Sequence, residues 1–187
     1  FSRELAEADA KSITNVTARM KKKWKVLSAE QMYVASIRLF DLGHKDEAVY
    51  WFYSAQYRSR VFMQALDDAS GEKSDELKRR GQARSELQNA AFSVIGLFIN
   101  DYAIKDPEKL GTTVRLVRKE YRTLPDMKVL HPELKRFPEK AWISAQKKVD
   151  EGLTEFQQIV SSLGAKKGDA VVEALEGKTP LLLSLIH

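Results

Sequence analysis

The sequence predicts an all-α protein, a single domain of six to seven helices, and three observations carry that expectation. Apolar residues recur at helical spacing along several long segments, capping signals stand at the starts of those segments, and no period-two run of strand formers lies between turn residues. The chain has 187 residues, 43% of them hydrophobic and 30% charged, with 9 Gly and 5 Pro, the profile of one globular domain. At this length folding buries about 70% of the surface exposed by the unfolded chain, so neither a metal nor a disulfide is needed to hold the core.

Segment 3–23 is rich in Ala, Glu, Lys and Arg and places Leu5, Ala8, Ile13, Val16 and Met20 at roughly helical spacing, which predicts one amphipathic helix. Ser28 followed by Gln31 forms a capping box, and Leu27 with Met32 occupies the positions of a hydrophobic staple, so a helix is expected from about 29 to 41. Gly43 follows Leu42 where a left-handed residue ends a helix at least cost, and Asp46 is placed to cap the next helix, which runs to about Leu66. The two make a helical hairpin. Asp67 to Ser74, with Ser70 and Gly71, reads as a loop leading to a helix over about 75–103 that Gly81 and Gly96 weaken or bend.

Asp106-Pro107 supplies an N-cap followed by proline at the first helical position, and Leu110, Val114, Val117 and Tyr121 continue at helical period. Pro125, Pro132 and Pro138 punctuate a connection expected to hold no regular element. Ala141, Trp142, Ala145, Val149, Leu153, Phe156, Val160 and Leu163 then mark a long helix closed by Gly164, and a short helix is expected over Asp169 to Glu176. The organisation is thus one all-α domain, 1–187: N-terminal helices and hairpin (1–66), middle helices (75–121), a Pro-rich connection (122–138), a long helix (139–164) and a C-terminal appendage (165–187). The apolar stretch 181–186 is expected to pack on the body or on another subunit.

Several function classes lose their parts. The chain contains no cysteine, which removes disulfides, thiol catalysis, iron–sulfur clusters and cysteine zinc sites. Its three histidines, His44, His131 and His187, are scattered, with no pair at i, i+4 and no H-E-x-x-H, so no metal site is expected. No Gly-rich phosphate loop, dinucleotide turn or nucleophile elbow is present, and no catalytic residue or cofactor is assigned. The longest apolar stretches, 90–99 and 181–186, are too short to cross a bilayer as helices. The excess of 31 Lys+Arg over 26 Asp+Glu gives a net charge of +5, with both signs interspersed, compatible with an acidic partner. Lys21, Lys22, Lys23 and Lys25 around Trp24, and Lys78, Arg79 and Arg80 with Arg84, allow a nucleic-acid-binding alternative; Lys21 to Lys23 also suit the dipole at a helix C-terminus. Asp67-Asp68 is the nearest approach to an acid–base pair for a second alternative, a hydrolase.

The helix expected over 46–66 is the most informative segment. Ala48, Trp51, Phe52, Ala55, Phe62 and Leu66 share one face, whereas Tyr50, Tyr53, Tyr57 and Val61 share another. A helix aromatic on both faces is either sandwiched, with its hydroxyls hydrogen-bonded, or offers its second face to a partner. On the second reading Tyr50, Tyr53, Tyr57, Arg58 and Arg60 form a protein-recognition surface, since Tyr and Arg dominate binding energetics, with Lys78, Arg79 and Arg80 as steering charges.

The run from Ser36 to Ala55, with its turn glycine, Asp46-Glu47-Ala48 opening and the aromatic and small residues that follow, resembles one tetratricopeptide-type hairpin. The pattern does not recur at a 34-residue period, so no repeat array is expected. The chain also resembles a group of uncharacterised proteins of Gram-negative bacteria that pair an Asp-Glu-Ala-Val-x-Trp-Phe-Tyr segment, here 46–53, with an Ile-Asn-x-Tyr-Ala-x-x-Asp-x-x-Lys-Leu segment, here Ile99 to Leu110. Some of these are found beside secreted toxins, as in type VI secretion. The resemblance implies a non-enzymatic, toxin-neutralising immunity or accessory protein that binds an effector by steric occlusion. The opening residue Phe1, which a cleaved signal peptide would explain, and the lack of cysteine lead to the expectation of a periplasmic location, with the cytoplasm also compatible.

Overall fold

A computed structural model describes residues 1–69, 95–131 and 139–163. Among them the chain is all-α: α1 (Ser2–Glu7), α2 (Ile13–Lys22), a 3₁₀ turn (Trp24–Val26), α3 (Ala29–Asp41), α4 (Lys45–Ala69), α5 (Leu97–Ile104), α6 (Pro107–Glu120), α7 (Met127–Leu130) and α8 (Glu139–Leu163). The helix expected over 75–103 is described only from 95 onward. The helix expected over 169–176 and the apolar stretch 181–186 lie outside the described residues.

The single helix expected over 3–23 is two. The Asp9 carboxylate accepts hydrogen bonds from the Lys11 and Ser12 backbone N–H groups and from Ser12 Oγ, an Asx turn that offers the backbone an alternative to the helix. Arg38 of α3 fixes the break from outside, its guanidinium donating to the carbonyls of Leu5 and Ala8 at the end of α1. His44 Nε2 lies 2.8 Å from the Ala10 carbonyl and ties the same turn to the start of α4.

The start of α3 follows the sequence closely. Ser28 Oγ accepts from the Gln31 N–H and Gln31 Oε1 accepts from the Ser28 N–H, so two orphan donors are satisfied reciprocally. At its end Gly43 takes φ +87°, while His44 N–H reaches back to the Leu39 carbonyl and Gly43 N–H to that of Phe40, the hydrogen-bond pattern of a Schellman cap. Lys45 begins α4 immediately afterwards, so α3 and α4 run antiparallel, and Ser36 Oγ donates to the Ala48 carbonyl across the pair.

Helix α4 is the centre of the molecule. It packs most extensively on α3, then on α8, α6 and α5. Every residue from Ala48 to Arg58 is buried, including Trp51 and Phe52 at 0% exposure. The covering helices bring single apolar stripes: Leu110, Val114 and Val117 from α6, and Trp142, Ala145, Val149, Leu153 and Phe156 from α8. Asp106 caps α6 as its spacing predicts, accepting from the Lys109 N–H with Pro107 at the first helical position. Within the connection expected to be irregular, Asp126 caps the one-turn helix α7 by accepting from the Val129 N–H, and Asp126 N–H in turn donates to the Lys25 carbonyl.

Asp46 departs from its expected role. The helix starts one residue earlier, and the Asp46 carboxylate instead accepts from the Tyr102 hydroxyl of α5 at 2.8 Å and pairs with Lys109 Nζ of α6 at 2.5 Å. These bonds, the Lys109 one foremost, hold its carboxyl below the ordinary 3.8. A lowered folded-state pKa contributes stability that is present above the unfolded value and is lost as pH falls through the folded one. The stability difference between wild type and Asp46→Asn is therefore expected to be constant near neutrality and to shrink only below about pH 3.8, read from urea unfolding at a series of pH values.

Candidate functional site

The structure settles which reading of the tyrosine face holds, because Tyr50, Tyr53 and Tyr57 are all interior, none more than 6% exposed. Their hydroxyls reach three different helices. Tyr50 donates to the Glu120 carboxylate at the end of α6, Tyr53 to Asn100 Oδ1 of α5 at 3.1 Å, and Tyr57 to Asp150 Oδ1 of α8 at 3.3 Å. Burial, the largest cause in each case, pushes all three phenols well above their ordinary pKa of 10, so they act as neutral donors.

Arg58 and Arg60 are likewise inside, at 5% and 7% exposure, and desolvation lowers each to about 10. The Arg58 guanidinium stands 5.3 Å from the ring centroids of both Trp24 and Tyr121, and its Nη1 donates to the Leu27 carbonyl. Arg60 is buried in the neighbourhood of the Tyr33 and Tyr53 phenols. The expectation that these five residues form a solvent-facing recognition surface is thus corrected: α4 is covered on both faces, and all five side chains are interior. Lys78, Arg79 and Arg80 lie outside the described residues.

A concave surface runs between α6 and α8, a groove of about 560 Å³ lined by Arg118, Arg122, Ile143, Gln146, Lys147, Asp150, Glu151, Thr154, Glu155 and Gln158. Its floor is built. Arg118 Nε donates to Asp150 Oδ1 at 2.9 Å, Arg118 Nη1 donates to Thr154 Oγ1 at 3.0 Å, and Tyr57 meets Asp150 from beneath. Its ends are pinned too: Gln146 Nε2 donates to the Tyr121 and Arg122 carbonyls, both at 2.9 Å, and Gln157 Nε2 donates to the Gly111 carbonyl at 2.7 Å.

The rim is different in kind. Arg122, Lys147, Glu151 and Glu155 are exposed and make no ion pair among the described residues, and Ile143 stands among them with 60% of its surface in water. The length of α8 from Ile143 to Gln158 is about 22 Å at the helical rise. The rim thus combines one exposed apolar residue with charges of both signs. These residues are not among the site residues expected from the sequence. The available signal was Ile143 on the face of α8 opposite its core stripe, together with Lys147, Glu151 and Glu155 following it at intervals of four.

Two other residues noted in the sequence, Lys21 and His131, are held by internal contacts. Lys21 of the basic run lies 3.7 Å from the Glu47 carboxylate and 4.4 Å from the Tyr50 ring centroid. Buried His131 stacks on Phe62 with ring centroids 4.2 Å apart. Among the described residues no three His, Asp or Glu side chains form a metal-ligand group.

The interior placement of Tyr53 gives a direct expectation. Tyr53→Ala removes a fully buried ring from between α4, α5 and α8 and should destabilise by about 3 to 5 kcal/mol, measured as a lower urea midpoint by circular dichroism. Comparison with family models, with curated proteins and with solved structures finds no match to the chain.

Proposed function

We propose that this chain acts by binding another protein, as a non-enzymatic immunity or accessory protein that neutralises a bacterial toxin by steric occlusion. The observation that carries the reading is the groove between α6 and α8, with its pinned walls and unpaired rim charges around exposed Ile143. The resemblance of 46–53 and 99–110 to toxin-associated proteins of Gram-negative bacteria, and of 36–55 to a tetratricopeptide-type hairpin, supplies the class of partner. A pre-organised helical surface suits occlusion because little ordering is left to do on binding, and a net charge of +5 raises the encounter rate with an acidic effector.

In this account the anchors are Ile143 and the four rim charges, while the buried tyrosines keep the walls in place. The test starts from capture of the tagged chain from lysate of its source organism at about 150 mM salt, where non-specific electrostatics are largely screened. The partner so identified is then titrated against wild type and the double variant Ile143→Asp with Lys147→Glu. Both positions are exposed, so the thermal midpoint is expected to stay within about a degree of wild type, while affinity falls at least about tenfold. Equal affinity for the two proteins would overturn the assignment of this face.

A further inference from the structure

The positive charge of the chain is not spread evenly. The 3₁₀ turn, the end of α6 and α7 meet at one end of the molecule. There the Asp126 N–H donates to the Lys25 carbonyl at 2.8 Å, and the Trp24 and Tyr121 rings lie edge to face with centroids 5.3 Å apart. Residues 19–26 and 118–130 carry nine Lys and Arg against two acids, Glu120 and Asp126. Both acids are engaged, Glu120 by the Tyr50 hydroxyl and Asp126 by the first turn of α7. Three of the cations are engaged as well, Arg19 with Glu4, Lys21 with Glu47 and Arg118 with Asp150. Lys22, Lys23, Lys25, Lys119, Arg122 and Lys128 remain, all exposed and without an ion pair among the described residues. Glu30 of α3, the other acid close to the turn, lines the cavity between α3, α4 and α7. Two apolar side chains stand in water beside these lysines: Val26, next to Lys25, is 38% exposed, and Val129, next to Lys128, is 58% exposed.

We propose that this end of the molecule docks on the surface of an anionic phospholipid membrane. Each uncommitted lysine near such a surface is attracted by its negative potential, and a cluster of about four to eight Lys and Arg is what anionic-lipid recognition uses. Val26 and Val129 supply the second component, apolar side chains that enter the boundary between headgroups and acyl chains. They also separate a lipid surface from a nucleic acid, which offers phosphates for the cations and stacks its bases on free aromatic rings. The rings at this end are already in use, since Trp24 packs on Tyr121 and the Arg58 guanidinium lies 5.3 Å from the centroid of each. The support is fixed before docking: Arg58 Nη1 donates to the Leu27 carbonyl just after the 3₁₀ turn, and Asp126 caps α7 while holding Lys25. Docking therefore orders little backbone.

Of the six cations only Arg122 also lines the groove between α6 and α8, and it is left unchanged in the test, so the outcome does not depend on the protein partner. The full chain is sedimented with vesicles of phosphatidylcholine alone, or with about one third phosphatidylglycerol, at about 50 and about 150 mM salt. Binding is expected to the anionic vesicles only, and should weaken at the higher salt as screening demands. The triple variant Lys23→Glu, Lys25→Glu and Lys128→Glu should need at least about tenfold more lipid for half binding. Lys11→Glu with Lys45→Glu and Lys105→Glu changes the net charge equally, at exposed positions toward the opposite end of α2, and should bind within about threefold of wild type. Val26→Ser with Val129→Ser keeps every charge and should weaken vesicle binding at least about threefold, with binding to a single-stranded oligonucleotide unchanged. Equal loss in the two charge-reversed variants would overturn the proposal, because net charge rather than this surface would then be responsible. So would equal binding to neutral vesicles, no binding to anionic ones at the lower salt, or valine variants that bind vesicles as wild type does. Tighter binding to an oligonucleotide than to the anionic vesicles would overturn it as well and assign the surface to nucleic acid.

Discussion

Helix α4 has no face turned to water over most of its length, and the rest of the structure follows from that constraint. A sandwiched helix must satisfy each polar side chain inside the protein, because an unpaired buried donor costs about 1 to 3 kcal/mol. Tyr50, Tyr53 and Tyr57 meet the demand by reaching α6, α5 and α8 respectively, so the same side chains that fill the core also fix which helix lies where. Ser54 Oγ donates to the Tyr50 carbonyl one turn back, and Ser36 does the equivalent across the hairpin. The solution is incomplete at Trp51 Nε1 and at the Gln56 amide, which have no hydrogen-bond partner among the described residues. A void of about 10 Å³ adjoins Gln56, close to the minimum that admits one water.

This arrangement explains why residue types that dominate binding surfaces are here part of the interior. Tyrosine and arginine combine large apolar bodies with polar tips, and that is useful wherever a packed ring must also specify an orientation. The Trp24, Arg58 and Tyr121 cluster shows the principle at its limit: a guanidinium 5.3 Å from two rings that themselves meet edge to face joins the 3₁₀ turn, α4 and the end of α6. The outer surface is then left to residues with ordinary helical side chains. On the groove between α6 and α8 the floor is held by Arg118 and Asp150, and the rim charges remain uncommitted.

Local signals in the sequence were legible where one residue decides one geometry. The capping box of Ser28 and Gln31, Gly43 with its positive φ, and the Asp106-Pro107 start all appear where the spacing places them. The apolar stripes of α6 and α8 were equally plain, since each of those helices is buried on one side. Two kinds of feature were not legible. The break after α1 depends on Arg38, which is distant in sequence, reaching the Leu5 and Ala8 carbonyls, and Asp46 is drawn from capping by Tyr102 and Lys109. The double-faced pattern of α4 is compatible with both core and surface until the neighbours are counted, and only the positions of α5, α6 and α8 decide it. The groove was missed for a related reason, because its two walls come from helices joined by a long connection.

The central claim, that α4 is the covered axis on which the other helices are hung, is tested most directly by native-state amide hydrogen exchange resolved by residue. Amides from Ala48 to Ala65 should exchange only through global unfolding, with protection that equals the unfolding free energy and falls with denaturant at the full slope. Those of α1 and the exposed face of α8 should open locally at lower cost. Exchange of the α4 amides through local opening, at a rate matching that of α1, would contradict the account.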